Sequence, residues 1–392
     1  MVIAMEIDFF LVILLCMNQH KVILSVGSNQ GNRLENINKC IELIHKKLAT
    51  VIEVSALYRT PSWGFESEPF YNCVILIHTH KTPDELLFFL LEIEKEMGRV
   101  RTESQEYQAR IIDIDIITFD QEVIRSEHLE IPHPRMQDRL FVLQPMADLQ
   151  TDFIHPILHK NCEELIKDCP DKSEFSIVGK LSSPLDMYGL GQLSSLIIEG
   201  NIGAGKSTLA SRISEDFNAK LVLEDFADNP FLPKFYQDRS RYAFPLEMSF
   251  LADRYQQLSD DLTQLDLFKK FTVADYFIIK SLIFARVTLQ EDKFRLYHKI
   301  FDIMYKEISK PDLYVYLYQN SEQLLRNIKK RGRSYEQEIP SEYLDRINSG
   351  YLEYIKQQKD LNVLIIDVSD KDFVENQQDY IDVLDQISNK VL

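Results

Sequence analysis

The sequence has no Cys-x-x-Cys pair: its five cysteines, Cys16, Cys40, Cys73, Cys162 and Cys169, are odd in number and widely scattered. That spacing argues against a disulfide scaffold and a structural zinc site, and it fits a reducing cytoplasm. Positive charge is also scarce, with 44 Lys+Arg against 61 Asp+Glu and a formal net charge of -17. Such a field repels the backbone of DNA or RNA, so no nucleic-acid partner is expected, whereas a small phosphorylated ligand can still be gripped locally. Long apolar runs are missing too. The strongest, Phe9 to Met17, is too short to span a bilayer, follows the acidic Glu6 and Asp8, and precedes polar Asn18-Gln19-His20. It therefore reads as neither membrane anchor nor secretory signal. Residues 1–20 are expected to be an N-terminal extension, with a second start available at Met17. No internal repeat or low-complexity tract is present.

At 392 residues and 45% hydrophobic, the chain suits two or three globular domains. From Val22 the pattern predicts a strand, a helix to about Leu48, a strand near Val51 to Tyr58, a strand from Asn72 to Thr79, a helix from Thr82 to Met97, and a strand from Ile111 to Phe119. This β-α-β-β-α-β order is that of a ferredoxin-like α+β unit, with helices over one face of a sheet. Gly179, Ser182-Ser183-Pro184, Gly189 and Gly191 then cluster, which predicts a linker over 171–192 between a domain at 21–170 and another at 193–392. The second domain opens at Leu196-Ile197-Ile198 and predicts an α/β fold, with further strands near Leu221, Tyr314 to Leu317 and Val363 to Val368.

Asp113 and Asp115 are two apart in Ile111-Ile112-Asp113-Ile114-Asp115-Ile116, so in a strand they share one face while Ile112, Ile114 and Ile116 take the other. Two like charges side by side need either a cation between them or full solvation, and hard divalent cations take such oxygens. Arg99, Arg101 and Arg110 bracket the pair with no lysine among them, which suits planar grips on phosphate. His133 and Arg139 follow in a Pro-fixed loop, Ile131 to Phe141.

Together with Gly27-Ser28-Asn29, Tyr58-Arg59-Thr60-Pro61, Pro69-Phe70-Tyr71-Asn72 and Glu94, these motifs make residues 21 to about 165 resemble the 6-hydroxymethyl-7,8-dihydropterin pyrophosphokinases of folate biosynthesis. The resemblance implies a 2-amino-4-hydroxy-6-hydroxymethyldihydropteridine diphosphokinase, which moves the β,γ-diphosphate of ATP onto the pterin hydroxymethyl oxygen. It further implies that Asp113 and Asp115 hold Mg2+. Glu94, Arg99, Arg110, His133 and Arg139 meet the nucleotide, and Arg101 lies on a closing loop. The pterin lies between Phe70 and Phe141, with Asn72, Thr60 and Pro61 around it. The family's Arg-Trp-Gly-Pro run in that loop is replaced here by Ser104 to Ala109, with Trp63 and Tyr107 as substitute aromatics.

Gly200-Asn201-Ile202-Gly203-Ala204-Gly205-Lys206-Ser207-Thr208 follows a strand and opens a helix, the setting in which a Gly-x-x-x-x-Gly-Lys-Ser loop cradles phosphate. Lys206 reaches the outer phosphates and the Ser207 hydroxyl ligates Mg2+. Glu224 ends the next strand and is either a general base or an ordinary strand-end carboxylate. Arg331-Gly332-Arg333 closes a helix, as does the lid of a nucleotide kinase.

Residues 195–392 as a set are similar to the deoxynucleoside kinases, also through Asp228-Asn229-Pro230-Phe231, Phe244-Pro245-Leu246-Glu247 with Arg254, and Glu336. The likeness implies that Glu224 deprotonates a deoxynucleoside 5′-hydroxyl and that Arg254 lies beside it. Glu247 reads the base, Glu336 holds the 3′-hydroxyl, and the fold is a parallel sheet flanked by helices in a protein that pairs through helices into a homodimer. Three positions depart from the family: its acidic-Arg-Ser triplet reads Asp275-Tyr276-Phe277, the lid has Asn327 four residues before Arg331 where an arginine is common, with Arg326 one step away, and the glutamine at the base is Glu247, which favours an amino-bearing adenine, cytosine or guanine. The reading is a bifunctional ATP- and Mg2+-dependent enzyme, against one rival in which the second domain is a non-catalytic nucleotide-binding module and another in which the first domain binds without turnover.

Overall fold

The computed structural model describes residues 19–62, 67–99, 109–149, 151–224, 229–263, 266–333 and 336–392. Arg101, Trp63, Tyr107 and Asp228 lie outside the described residues. The chain divides into two compact units, Met1–Met187 and Tyr188–Leu392.

In the first unit, β1 (His20–Ser28), α1 (Arg33–Lys47), β2 (Thr50–Val54), β3 (Ala56–Thr60), β4 (Phe70–Thr79), α2 (Pro83–Glu96) and β5 (Asp113–Phe119) follow in the expected order. The strand expected from Val51 to Tyr58 is two short pieces that both pair antiparallel with β4, broken at Ser55, whose hydroxyl accepts from the Val74 amide at 2.9 Å. The sheet runs β5-β1-β4-β3, the ferredoxin-like order. Helix starts are written locally. The Asn32 side chain caps α1, and Thr82 with Glu85 forms a capping box on α2 ahead of Pro83, satisfying amides that a helix start leaves open.

Helices cover both faces of this sheet and not one. Val22, Leu24 and Val26 of β1 pack with Ile37, Ile41, Leu86 and Leu90 of α1 and α2. The alternate set, Ile23, Val74, Leu76 and Ile117, packs with residues of α3 (Leu140–Met146) and α4 (Cys162–Asp168). Apolar residues on both sides of the pleat demand this second layer, because an isoleucine or leucine left in water forfeits roughly 1.5–3 kcal/mol.

Part of the segment 171–192 is a strand of the first unit, and the break between the two units falls within that stretch. Two hairpin strands, β6 (Ile124–Arg125) and β7 (Glu130–Ile131), precede β8 (Ser176–Lys180), which joins the main sheet by pairing antiparallel with β3. Its residues are all exposed, and the break between units falls later, after Met187.

The second unit is a parallel sheet of β9 (Ser195–Gly200), β10 (Lys220–Val222), β11 (Thr272–Ala274), β12 (Leu313–Tyr318) and β13 (Val363–Asp367) in the order β10-β11-β9-β12-β13. Around it lie α5 (Lys206–Phe217), α6 (Leu232–Gln237), α7 (Arg239–Thr263), α8 (Ile279–Thr288), α9 (Glu291–Tyr305), α10 (Ser321–Arg331), α11 (Ser341–Gln357) and α12 (Gln377–Val391). Continuous apolar strands such as Leu196-Ile197-Ile198, all fully buried, are what a sheet covered on both faces requires. The order reverses at β9, so the crevice beyond its carboxyl end is where an open α/β sheet takes a ligand. Among the described residues no helix is long and apolar enough to cross a membrane.

Candidate active sites

In the first unit β5 turns Ile114 inward and leaves both aspartates on the opposite face. Arg99 donates to Asp113 Oδ1 at 2.6 Å and also to Glu94, and Arg110 donates to Asp113 Oδ2. Glu94, expected at the nucleotide, is 2% exposed and faces the protein interior, where it accepts the Ile114 amide at 2.9 Å and orients Arg99. The Arg110 backbone is pinned by Asn29, whose side chain accepts its amide at 2.6 Å. Arg139 lies 3.4 Å and His133 4.0 Å from Asp115 Oδ2. The structure thus brings together the aspartates, Arg99, Arg110, His133 and Arg139.

Burial, with the charge of Asp113 beside it, pushes the Asp115 carboxyl up to about 6. Burial, then the charges of Arg139 and Arg135, pulls His133 down to about 4, so its ring is neutral at pH 7. A partly desolvated carboxylate beside a second one has a use for a hard cation, and two carboxylates plus substrate phosphate oxygens are a usual magnesium set. The donor chemistry fits Mg2+.

Asn72 Nδ2 donates to Thr60 Oγ1 at 2.8 Å, and the Asn72 carboxamide leaves no room for a side chain at Gly27, where a Cβ would meet its Oδ1 at 2.5 Å. Thr60 pairs with Phe70 across the sheet. Thr60, Pro61 and Phe141 line a small pocket open to solvent whose remaining walls are Leu140, Asp171, Ser173, Glu174 and Phe175. The walls from 171 to 175 were invisible in a stretch read as linker. They are tied in by Asp171, which accepts the Leu140 amide at 3.2 Å, and by Phe175, edge-on to Tyr58 at 5.6 Å.

In the second unit the phosphate loop joins β9 to α5. Gly203 and Gly205 both sit at φ +83°, and a Cβ on Gly203 would meet Ile328 at 2.9 Å and the Leu324 carbonyl at 3.0 Å. Lys206 donates to the Asn201 carbonyl at 2.9 Å, Asn201 is braced on Asn348 and Leu344 at 2.8 Å, and Ser207 donates to Asp275. Gly200 and Thr208 flank this loop, the latter in the first turn of α5. Burial, then the nearby charge of Lys280, lowers Lys206 to about 8. A serine hydroxyl already directed at a carboxylate, next to a helix N-terminus, is oxygen chemistry that fits Mg2+ with a polyphosphate.

Glu224 is not an ordinary strand-end carboxylate. Arg254 donates to its Oε1 from Nε at 2.8 Å and from Nη2 at 2.6 Å, Lys280 donates to its Oε2, and its own amide is held by Asp275 at 2.8 Å. Burial alone would raise its pKa, but Lys280 and Arg254 overwhelm that effect and hold the carboxyl well below its usual range. Lys280 was missed from sequence, as was Glu199, a fully buried carboxylate that accepts the Phe277 amide at 2.9 Å and the Tyr351 hydroxyl at 3.0 Å. Tyr276, at the family's arginine position, packs into the core with Phe277 and Ile278.

Glu247, 4% exposed on α7, is pushed up to about 7 by burial against the lowering charge of Arg254, and its Oε2 has no hydrogen-bond partner among the described residues. At the lid, Arg331 and Arg333 both donate to Glu336, so three residues with two expected targets hold one another instead. Arg326 does not fill the gap left by Asn327, since it binds Glu322 and Gln323 on the surface. Asn327 instead donates to the Gly203 carbonyl at 2.9 Å.

A ferredoxin-like unit with paired aspartates under arginines and a P-loop unit with a clamped glutamate are two nucleotide-handling phosphotransfer folds in one chain. Residues 23–151 match the family model for 7,8-dihydro-6-hydroxymethylpterin-pyrophosphokinase, and residues 196–392 that for deoxynucleoside kinase. The chain is 39% identical over 189 residues to the deoxyguanosine kinase of Bacillus subtilis (strain 168), covering 47% of this chain and 91% of that protein. It is 38% identical over 144 residues to the 2-amino-4-hydroxy-6-hydroxymethyldihydropteridine pyrophosphokinase of Aquifex aeolicus (strain VF5), covering 36% of this chain and 88% of that protein. It also matches a folic acid synthesis protein of Pneumocystis carinii at 42% identity over 137 residues, which is 35% of this chain but only 18% of that protein. A solved deoxyadenosine kinase from M. mycoides with dCMP and dCDP aligns at TM-score 0.42 and 27% identity, over 49% of this chain and 99% of that one. The chain belongs to both families, its amino-terminal unit to the pterin pyrophosphokinases and its carboxyl-terminal unit to the deoxynucleoside kinases.

Proposed function

We propose that the chain is a bifunctional cytoplasmic enzyme that makes 6-hydroxymethyl-7,8-dihydropterin diphosphate and deoxynucleoside 5′-monophosphates, both from ATP. The observation that carries this reading is shared by the two units: a carboxylate is held by guanidinium or ammonium groups beside a place built for phosphate.

In the first reaction the pterin hydroxymethyl oxygen attacks the β-phosphorus of ATP, the bond to the α,β-bridging oxygen breaks, and AMP leaves. Arg99, Arg110 and Arg139 meet the charge on the phosphates, and Arg101 is assigned to the same task from the closing loop. Phe70 and Phe141 hold the flat ring while Asn72 reads its polar edge. Asp113 and Asp115 would hold Mg2+, which when bound supplies neutralising charge to the phosphate oxygens. Positioning and exclusion of water carry most of the rate, since little covalent work falls to the protein.

In the second reaction Glu224 takes the 5′-hydroxyl proton, that oxygen attacks the γ-phosphorus, and ADP leaves. Lys206 and the amides of the loop hold the phosphates, Ser207 would hold Mg2+, and Arg331 and Arg333 leave Glu336 for the phosphoryl group as Glu336 takes the 3′-hydroxyl. An ionised Glu247 is an acceptor at both oxygens and fits a base edge with two adjacent donors, as guanine has in N1–H and its 2-amino group. The name of the Bacillus relative supports deoxyguanosine as the preferred substrate.

Product analysis tests the proposal. Purified protein with ATP should yield AMP with the dihydropterin alcohol and ADP with deoxyguanosine. ATP binding with no nucleoside phosphorylated would make the second unit a binding module, a reading favoured only by Tyr276 in the core and the self-paired lid.

A further inference from the structure

We infer that Lys280 is the positioning cation of the carboxyl-terminal site: it holds Glu224 in line while that carboxylate is ionised, and swings its charge to the transferring phosphoryl group once Glu224 has taken the proton. The inference rests on the phosphoryl-transfer reading of this unit.

The sequence around Lys280 gives it no business inside the protein. Phe277, Ile278, Ile279 and Ile283 are all buried, and α8 begins at Ile279, so the lysine stands in the first turn of a helix that is otherwise core. Its side chain is 10% exposed, as is that of Glu224. A desolvated ammonium is retained only where a charge repays it, and the one given to it is Glu224 Oε2.

Glu224's two oxygens are divided between cations of different character. Arg254 grips Oε1 with two of its N–H groups and spends another on Ser281 Oγ at 2.7 Å, so its planar fork is fixed from both sides. Lys280 makes one hydrogen bond from a flexible stem, and beyond it the ammonium meets only the Phe284 ring, 5.7 Å away, among the described residues. Three rotatable donors on a point charge can change partner, whereas a fork locked at both ends cannot. The phosphate loop adjoins this clamp through Asp275, which accepts the Glu224 amide at 2.8 Å on one oxygen and the Ser207 hydroxyl on the other. Lys280 is thus bonded to a carboxylate one side chain away from the phosphate cradle, while Tyr276 contributes no charge there.

The chemistry gives this placement a direction. As the 5′-oxygen bonds to the γ-phosphorus, its proton passes to Glu224. The bond from that phosphorus to the β,γ-bridging oxygen breaks, with the electron pair leaving on ADP. Glu224 becomes neutral and its attraction for Lys280 collapses, which leaves the buried Glu199 and the phosphoryl oxygens as the acceptors of that charge.

Kinetics of Lys280→Met and Lys280→Gln on the full chain, with Lys280→Arg as the charge-keeping control, test the inference. For both neutral variants kcat with deoxyguanosine should fall on the order of 10²-fold, the removal of one placed donor, while KM for the nucleoside and ATP affinity by titration stay within roughly threefold. The acidic limb of the kcat–pH profile should move to higher pH. Glu224 must be ionised to act, and without Lys280 only Arg254 opposes its burial; Asp275, Glu199 and Lys206 are the other charged groups around it, and the pKa values of the last two also rise when Lys280 is lost. Lys280→Arg should keep the wild-type limb. Neutral variants with wild-type kcat, or a loss confined to KM with an unmoved limb, overturn the inference while leaving the kinase reading intact. A wild-type protein that phosphorylates no deoxynucleoside removes the kinase reading and this inference with it.

Discussion

The two units solve one electrostatic problem in opposite ways. In the first, the acidic pair is only half-buried, with side chains 22% and 38% exposed, and arginines arrive from loops and helix ends around it. In the second, Glu224 is sealed in a clamp of Arg254 and Lys280, with a side chain 10% exposed. The open arrangement leaves room for a cation to enter between carboxylates and phosphate. The closed one keeps a single carboxylate ionised in the resting protein, the form in which the proposed base can take a proton. A metal site has to exchange, and a base has to stay put.

Mutations sharpen this contrast. The largest effect is expected at the closed site, where Glu224→Gln should lower kcat for deoxynucleoside by about 10³-fold and leave AMP formation from the pterin unchanged. Loss of both activities would break the idea that the sites are chemically separate. At the open site Asp113→Asn should cost on the order of 10²–10³-fold in pterin kcat/KM, with secondary structure by circular dichroism unchanged. An effect of only a few-fold would mean that the pair is merely a solvated strand face.

Glu247→Gln should shift the ratio of deoxyguanosine to deoxyadenosine turnover by about 10–100-fold toward deoxyadenosine, because a carboxamide offers one donor and one acceptor. The native ratio should itself depend on pH. Glu247 lies near 7, so deoxyguanosine should gain as pH rises through 7 and the carboxyl ionises, and deoxyadenosine should gain below it. The sign for stability is opposite. A carboxyl whose folded pKa is raised binds its proton more tightly in the folded state, so the folded state weakens as pH climbs from the ordinary carboxyl range toward 7. The smallest effect is expected for Phe175→Ala, roughly a 3–10-fold rise in pterin KM with ATP affinity unchanged, as befits one aromatic wall of a cavity.

The contrast also accounts for what could be read from sequence. Asp113 and Asp115 on one strand face, and Lys206 and Ser207 after their glycines, are local patterns whose geometry follows from a strand period or a turn. Lys280 and Glu199 are tertiary facts. Each is a lone charge in an apolar run, and only the meeting of β9, β10 and α8 gives it a partner. The run from Phe277 to Phe284 did hold one usable sign, a lysine where a fully buried helix tolerates none without a counter-charge. β8 failed for another reason: Gly179 and the serines and proline after it outweighed Ser176-Ile177-Val178, a strand too short for alternation to register. The second helical layer of the first unit was legible in Ile23, Val74 and Ile117, but only by asking what both sides of a pleat must bury.

One small contact limits how the lid can travel. Because Asn327 is bonded to the Gly203 carbonyl and Ile328 fills the hollow over that glycine, the body of α10 is fastened to the phosphate loop. Any swing must pivot beyond that point, at Gly332, whose φ of +76° and open surroundings suit a hinge. A swing of the proposed lid would therefore carry Arg333 while the floor under the phosphates keeps its shape.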